Sequence, residues 1–155
     1  MEVTIQKMNK EDWGVMQKLN AEVFEHDNKH IADLDMQWPF SEIGIAYYKK
    51  VASGGNEYVG FVAELGMVTV GYIALHKKTV SYRTSPSVEI ENMGVSSEYR
   101  SQGIGTQLLQ EAEIWARGEN FGRLHVSAFA RNTHAIDFYK KFGFLEVSVD
   151  LEKDF

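Results

Sequence analysis

A glycine-containing turn between a predicted strand and a predicted helix is the segment of this sequence best suited to chemistry. Residues 88–95 are predicted to form the strand, and an apolar residue recurs at spacings of four, four and three in the helix, at Ile104, Leu108, Ala112 and Trp115. The first N–H groups of a helix lack intrahelical partners, and the helix dipole adds partial positive charge there. Gly103 and Gly105 let a ligand approach this backbone, and Arg100 adds a guanidinium group. The turn therefore predicts an anion site, best suited to phosphate.

The better-known phosphate-binding loops do not match this turn. The sequence has no Gly-x-x-x-x-Gly-Lys-Ser/Thr run, which excludes a P-loop. Leu108 stands where a dinucleotide-binding fingerprint needs its third glycine. The local pattern also allows an alternative to an anion site, in which the two glycines only shape a strand-to-helix turn.

Two motifs carry a resemblance to a known family. Residues 100–105, Arg-Ser-Gln-Gly-Ile-Gly, match the pattern Arg/Gln-x-x-Gly-x-Gly/Ala. Residues 132–144 match the pattern Asn-x-x-Ala-x-x-x-Tyr-x-x-x-Gly-Phe. In this order and around a predicted strand, they resemble the GNAT family of N-acetyltransferases. The resemblance implies acetyl transfer to an amine, with acetyl-CoA (coenzyme A) as the acyl donor and no metal.

The resemblance also assigns the cofactor contacts. The pyrophosphate would lie on the N–H groups of residues 102–106, and Asn132 would contact the cofactor from the last helix. The strand before the turn carries a bulge in the family, and the pantetheine arm pairs with its backbone, here at Met93 and Val95. The implied cofactor-binding residues are Met93, Val95, Arg100, Ser101, Gln102, Gly103, Ile104, Gly105, Thr106, Asn132 and Tyr139.

Acetyl transfer needs a base for the ammonium proton, a donor for the thioester oxygen and an acid for the departing thiolate. Glu89 and Glu91 alternate on one strand and share a face. Glu91, which matches a frequent acidic position in the family, is the predicted base, acting through a water, with Glu89 in reserve. Solvent-facing glutamates are the alternative for both. Tyr139 matches the family tyrosine near the thioester sulfur and is the predicted acid, with a core tyrosine as the alternative. The N–H of Met93 is expected to polarise the carbonyl.

The chain lacks the groups needed for a covalent acyl-enzyme. It has no cysteine and no Gly-x-Ser-x-Gly elbow, so direct attack in a ternary complex is favoured. A cysteine-free chain also fits a reducing, cytoplasmic location. A non-catalytic acyl-CoA-binding sensor or interaction domain on the same fold is the alternative function.

His26 and His30 nearly reproduce the His-Glu-x-x-His pattern of zinc proteases, with Asp27 in place of the glutamate. On a helix the two histidines would share a face. The segment is polar, however, and the sequence shows no third ligand. Surface or substrate-loop histidines are therefore expected, and no metal site.

An acidic balance limits the classes of partner. The 155 residues include 22 acidic and 16 basic side chains, for a formal charge of −6, which argues against nucleic acid and anionic membranes. In the GNAT family, the segment that joins the first two helices often lines the substrate entrance, and acidic residues are concentrated there in this sequence. They fit a small-molecule or peptide amine such as a polyamine, an aminoglycoside or a lysine-containing peptide, although a solvated acidic loop is the alternative. These residues are Glu22, Glu25, Asp27, Asp33, Asp35 and Glu42.

The elements that must position these groups are predicted in the order β-α-α-β-β-β-α-β-α-β. We expect one α/β (α+β) domain over residues 1–155. By the resemblance, its mixed, mostly antiparallel sheet has a splayed central strand pair and helices on both faces. The second helix is expected to follow Ser41 and to bury Ile43, Ala46, Tyr47 and Val51. A final strand is expected over residues 144–151, after Gly143 caps the last helix. Dimer contacts often use this end in the family, so a homodimer is left open.

Overall fold

Five strands form one sheet, in the order in which they occur along the chain. The computed structural model describes residues 2–155. Neighbouring strands are antiparallel except β4 and β5, which are parallel. The predicted mixed, mostly antiparallel sheet is therefore confirmed. The strands are β1 (Val3–Lys7), β2 (Tyr58–Leu65), β3 (Val68–Lys78), β4 (Ser87–Val95) and β5 (Arg123–Val126).

Four α-helices cover the two faces of this sheet. They are α1 (Trp13–Asp27), α2 (Glu42–Ser53), α3 (Ile104–Gly118) and α4 (Thr133–Lys141). The predicted cap of α2 forms, because Ser41 Oγ accepts a hydrogen bond from the Gly44 N–H at 3.0 Å. Asn132 Oδ1 accepts a hydrogen bond from the Ala135 N–H at 3.2 Å and caps α4, a role not predicted from the sequence. Within residues 2–155, no helix has the length and apolar content to cross a bilayer.

Each face of the sheet has its own apolar core, because side chains alternate along the strands. On one face, α3 packs on buried residues that include Val59, Phe61, Ile73, Leu75, Val88 and Ile90. On the other face, α1 and α2 pack on Val62, Tyr72 and Ala74.

A buried hydrogen-bonded triad lies in the second core. Asn20 Nδ2 donates to the Tyr72 hydroxyl at 2.8 Å, and the Tyr48 hydroxyl donates to Asn20 Oδ1 at 2.6 Å. The three polar groups satisfy one another away from water, which fixes α1 against α2 and β3.

The buried side of α2 differs in part from the sequence prediction, since Val51 is buried and Tyr47 half-buried as expected but two of the predicted residues are not. Ile43 is 72% exposed and Ala46 is also exposed, whereas Gly44 and Tyr48 are buried. A Cβ on Gly44 would collide with the Trp38 carbonyl, so the chain approaches α2 closely at this point. The helix therefore turns its small residue toward the preceding segment.

The predicted final strand does not form. Gly143 takes the expected positive φ, +87°, and ends α4, but residues 144–155 pair with no strand among those described. An alternating apolar pattern cannot make a strand without a partner to receive its hydrogen bonds. Phe144 is partly buried against the first core, but the apolar side chains that follow it are strongly exposed, namely Leu145, Val147, Val149, Leu151 and Phe155.

Candidate active site

The β4 strand carries a bulge at Glu91, and beyond this point β4 parts from β5. Ile90 and Asn92 pair with consecutive residues of β3, which leaves Glu91 as an extra residue in the register. Pairing with β5 ends at Ile90. Among the described residues, the β5-facing edge of residues 91–95 therefore has no strand partner and can bind an extended, amide-containing ligand. The expected splayed strand pair is confirmed.

The turn after β4 has the backbone of an anion cradle. Ser101 and Gly103 have φ angles of +62° and +80°, and α3 begins at Ile104. Left-handed residues before a helix turn successive N–H groups toward one concave surface. A Cβ built on Gly103 would meet no atom within 4 Å, so the space over this backbone is open. The residues present thus fit a phosphate group.

Three structural elements meet beside this turn at Gly105. A Cβ placed there would lie 3.6 Å from the Phe138 ring and 3.9 Å from the Met93 methyl carbon. The start of α3 is consequently packed between the bulged strand and α4. This contact holds the cradle, the free edge of β4 and the helix that carries Tyr139 in a fixed relation.

Arg100 ties the cradle to the end of β4. Its Nε donates to the Val95 carbonyl at 3.0 Å, so one backbone group of Val95 is already satisfied within the chain. An open cleft of about 300 Å³ lies beside the guanidinium group. The cleft is lined by Glu22, Glu25, His26, Lys29, Ser97 and Arg100.

The two candidate bases have different surroundings. Glu89 Oε2 lies 2.7 Å from Lys78 Nζ, and its other oxygen is 3.9 Å from His125 Nδ1. Glu91 Oε1 lies 3.3 Å from His76 Nδ1, and 24% of the Glu91 side chain is exposed. A lysine ion pair holds Glu89, whereas Glu91 stays accessible at the bulge.

An aromatic wall, consisting of Tyr47, Tyr58 and His76, adjoins Glu91. The Tyr58 and His76 rings stack with centroids 4.5 Å apart, and the Tyr47 and Tyr58 rings are 6.2 Å apart. Burial first, and then the Glu91 carboxylate, raise the pKa of both tyrosines above the ordinary value. The Tyr47 hydroxyl also accepts a hydrogen bond from Asn92 Nδ2 at 2.7 Å. The wall therefore places two protonated tyrosine rings and the His76 imidazole ring beside the Glu91 side chain.

Sequence reasoning missed this aromatic wall. Tyr72, Ala74 and His76 alternate along β3, so their common face could have been predicted. The register that places His76 beside Glu91, and the packing of α2 that brings Tyr47 there, are not local properties of the sequence.

Tyr139 lies on α4, partly buried among Phe138, Phe144 and the α3 core. Burial, with a smaller contribution from the Asp27 carboxylate, raises the pKa of Tyr139 to about 12. Its hydroxyl therefore keeps its proton at neutral pH. Asn132 uses Oδ1 to cap α4, which leaves its amide nitrogen for a ligand.

The sequence is similar to a known family of proteins and to individual members of it. The model of the acetyltransferase (GNAT) family matches residues 25–144. The chain is 30% identical over 148 residues to the N-alpha-acetyltransferase RimI of Mycobacterium tuberculosis, a match that covers 95% of this chain and 81% of the relative. It is also 35% identical over 97 residues to an N-alpha-acetyltransferase of Sulfurisphaera tokodaii, which covers 57% of this chain and 58% of that protein.

Solved structures agree with the fold. A tetramutant of the BH1408 protein of Bacillus halodurans superposes with a TM-score of 0.86 at 16% identity, covering 98% of this chain and 99% of the other. The aminoglycoside N-acetyltransferase AAC(6')-Iy in complex with CoA gives 0.75 at 17% identity, covering 99% and 94%. At 16–17% identity, the similarity to these structures shows only a shared fold. The match to the family model and the 30% identical relative also show the family. The chain belongs to the acetyltransferase (GNAT) family and is an acyl-CoA-dependent N-acetyltransferase.

Proposed function

We propose that this enzyme transfers the acetyl group of acetyl-CoA to a primary amine by direct attack in a ternary complex. The observation that carries the proposal is the bulge at Glu91, which places an accessible carboxylate at the point where β4 loses its β5 partner. The free strand edge, the anion cradle and the carboxylate follow one another along a single stretch of chain.

The cofactor lies along this stretch in the proposal. Its pyrophosphate accepts hydrogen bonds from the N–H groups of residues 102–106, with the guanidinium of Arg100 beside it. Its pantetheine amides pair with the free edge of β4 at Met93 and Val95. The amide nitrogen of Asn132 and the hydroxyl of Tyr139 approach from α4.

Bound acetyl-CoA supplies an activated acetyl thioester. Glu91 accepts the ammonium proton through a water, which leaves the neutral amine that attacks the thioester carbon. The Met93 N–H donates to the thioester oxygen as negative charge develops on it. As the carbon–sulfur bond breaks, the Tyr139 hydroxyl donates its proton to the departing sulfur. The extra proton on the newly acylated nitrogen then passes to the tyrosinate, which restores the Tyr139 hydroxyl, and Glu91 releases its proton to solvent. The products are the acetylated amine and CoA.

The proposed acceptor is a cation before it reacts. The face of an aromatic ring attracts an ammonium group, and the wall places such rings around Glu91. The acidic residues in the last turns of α1, in the segment after it and at the start of α2 add attraction at longer range. Polyamines, aminoglycosides, lysine side chains and peptide α-amines all have this chemistry. Peptide α-amines come first, because the relative that matches 95% of this chain carries the name N-alpha-acetyltransferase.

A panel of amines tests the proposal. Purified enzyme with saturating acetyl-CoA is assayed for CoA release with α-amine peptides, acetylated peptides that keep only a lysine amine, spermidine and an aminoglycoside. We expect turnover with at least one class, first with α-amine peptides, and a single product with one added acetyl group. Acetylation of the protein before the amine is added, with transfer afterwards, would contradict direct attack.

A homodimer is also part of the proposal, and the exposed tail is the observation that supports it. Leu145, Val147, Val149 and Leu151 are between 68% and 91% exposed and recur at every second position. Several large apolar side chains exposed so close together usually mark an interaction site. The outer edge of β5 has no strand partner among the described residues. A second copy can cover both surfaces by placing its tail on that edge.

A further inference from the structure

We propose that His26, Asp27 and His30 form a binding site for a divalent transition metal such as Zn²⁺. The site lies at the end of α1 and in the turn that follows it. One ligand atom from each side chain lies within 4.8 Å of the other two. Two imidazoles and a carboxylate are a ligand set that zinc accepts, with water in the fourth position.

The end of the helix supplies the third ligand that the sequence does not reveal. His26 and His30 are four residues apart, and their ring centroids are separated by 5.5 Å. In a continuous helix, residue 27 would lie about 100° around the axis from residue 26 and would be the i,i+3 neighbour of residue 30. Asp27 is instead the last residue of α1, and its carbonyl accepts a hydrogen bond from the His30 N–H at 2.7 Å. This turn gathers all three side chains.

A buried nitrogen without a partner gives independent support. Among the described residues, His30 Nε2 is buried and has no hydrogen-bond partner. Buried polar atoms normally have a hydrogen-bond partner, so the His30 Nε2 atom needs a partner that the chain itself does not supply. A neutral imidazole nitrogen is the commonest protein ligand for metals, and a metal ion would satisfy it.

The closure that the site requires is small. Ligands of tetrahedral zinc lie about 3.3 Å apart when their bonds are 2.0–2.1 Å long. The separation of at most 4.8 Å therefore contracts by about 1.5 Å, within reach of side-chain rotations. Lys29 and Arg100 place positive charge near His26, but Glu22 and Glu25 line the same cleft and oppose it. His26 lines this open cleft, so an ion can approach the site from the side of His26.

Titration of metal-free enzyme with Co²⁺ tests the site without any assay of acetyl transfer. We expect one equivalent to bind with the intense visible absorption of a tetrahedral site, and Zn²⁺ to displace it. The variants Asp27→Asn and His30→Ala should each weaken binding by about tenfold or more. The double variant His26→Ala/His30→Ala should remove the absorption. His134→Ala, which changes an exposed histidine of α4, is the matched control and should bind like the parent enzyme.

Circular dichroism and acetyl-CoA affinity check that each variant is folded. Absence of Co²⁺ absorption and of any Zn²⁺ binding heat in the folded parent enzyme would overturn the proposal. Undiminished metal binding by the folded double variant would also overturn it, because the metal would then be held elsewhere. Neither result would bear on acetyl transfer, so the two proposals fail separately.

Discussion

The Nδ1 atom of His76 lies 3.3 Å from Oε1 of Glu91, and this contact joins β3 to β4 at the bulge. The histidine ring also stacks on Tyr58, so it is held on a second side. The contact orients a carboxylate that would otherwise rotate freely at a strand edge. Together with the Lys78 ion pair that holds Glu89, it supports the proposal that Glu91 is the base.

Glu91→Gln should lower kcat by about 10²-fold or more, because the amide cannot take the ammonium proton. Steady-state CoA release over a range of pH measures the effect. The loss should shrink at high pH, where more of the amine is already neutral. Glu89→Gln is the matched control on the same strand face, and its kcat should stay within a few fold. A larger loss for Glu89→Gln than for Glu91→Gln would reverse the assignment.

Tyr139→Phe should lower kcat and leave acetyl-CoA affinity nearly unchanged, because the ring and its packing remain while the donated proton is lost. Isothermal titration with acetyl-CoA and single-turnover kinetics separate the two quantities. The pKa of about 12 means that the parent enzyme keeps this proton throughout the neutral range. If affinity fell together with the free energy of unfolding, Tyr139 would be a structural residue instead.

Gly103→Ala should weaken acetyl-CoA binding by about tenfold or more. The new methyl group enters the open space proposed for the phosphates, and a left-handed alanine costs about 1–2 kcal/mol. Gly55→Ala is the matched control, since Gly55 also has a positive φ, +108°, and open space around it. Both variants should lose stability in urea, but only Gly103→Ala should lose affinity. Equal affinity for the two would refute the placement of the pyrophosphate.

Stability should decline at alkaline pH because of the buried triad. Burial raises the pKa of Tyr72 and of Tyr48 above the ordinary value. The unfolded chain, with tyrosine pKa values of about 10, therefore releases these protons first as the pH rises. The contribution of the triad is full below about pH 10 and decreases above it. Urea unfolding at pH 8 and pH 11 should show this decrease, and the Tyr72→Phe variant should show less of it.

Removal of the apolar character of the tail should convert a dimer to a monomer. The double variant Val147→Lys/Val149→Lys places charges on the exposed side chains proposed to contact a second copy. Light scattering after size-exclusion chromatography gives the mass. Ile114→Lys, at another exposed apolar residue on α3, is the control and should remain dimeric. A parent enzyme that is monomeric at micromolar concentration would contradict the proposed homodimer.

Local signals in the sequence determined most of the secondary structure. Helical periodicity from Ile104 to Trp115, the cap at Ser41 and the positive φ of Gly143 depend on near neighbours, and each was predicted correctly. The turn proposed to bind phosphate is local for the same reason, since a strand, a glycine and a helix start lie within a few residues. The two motifs that indicated the family are also continuous segments.

The tertiary structure alone decided relations between residues distant in sequence. It separated Glu91 from Glu89, because a bulge and the position of Lys78 follow from the register of β3 with β4. It placed Asp27 with two histidines at a helix end, which periodicity alone does not predict. It also left the alternating tail without a partner strand. A pattern of side chains determines which face of a strand is apolar, but the hydrogen bonds of the strand must come from another segment of the chain.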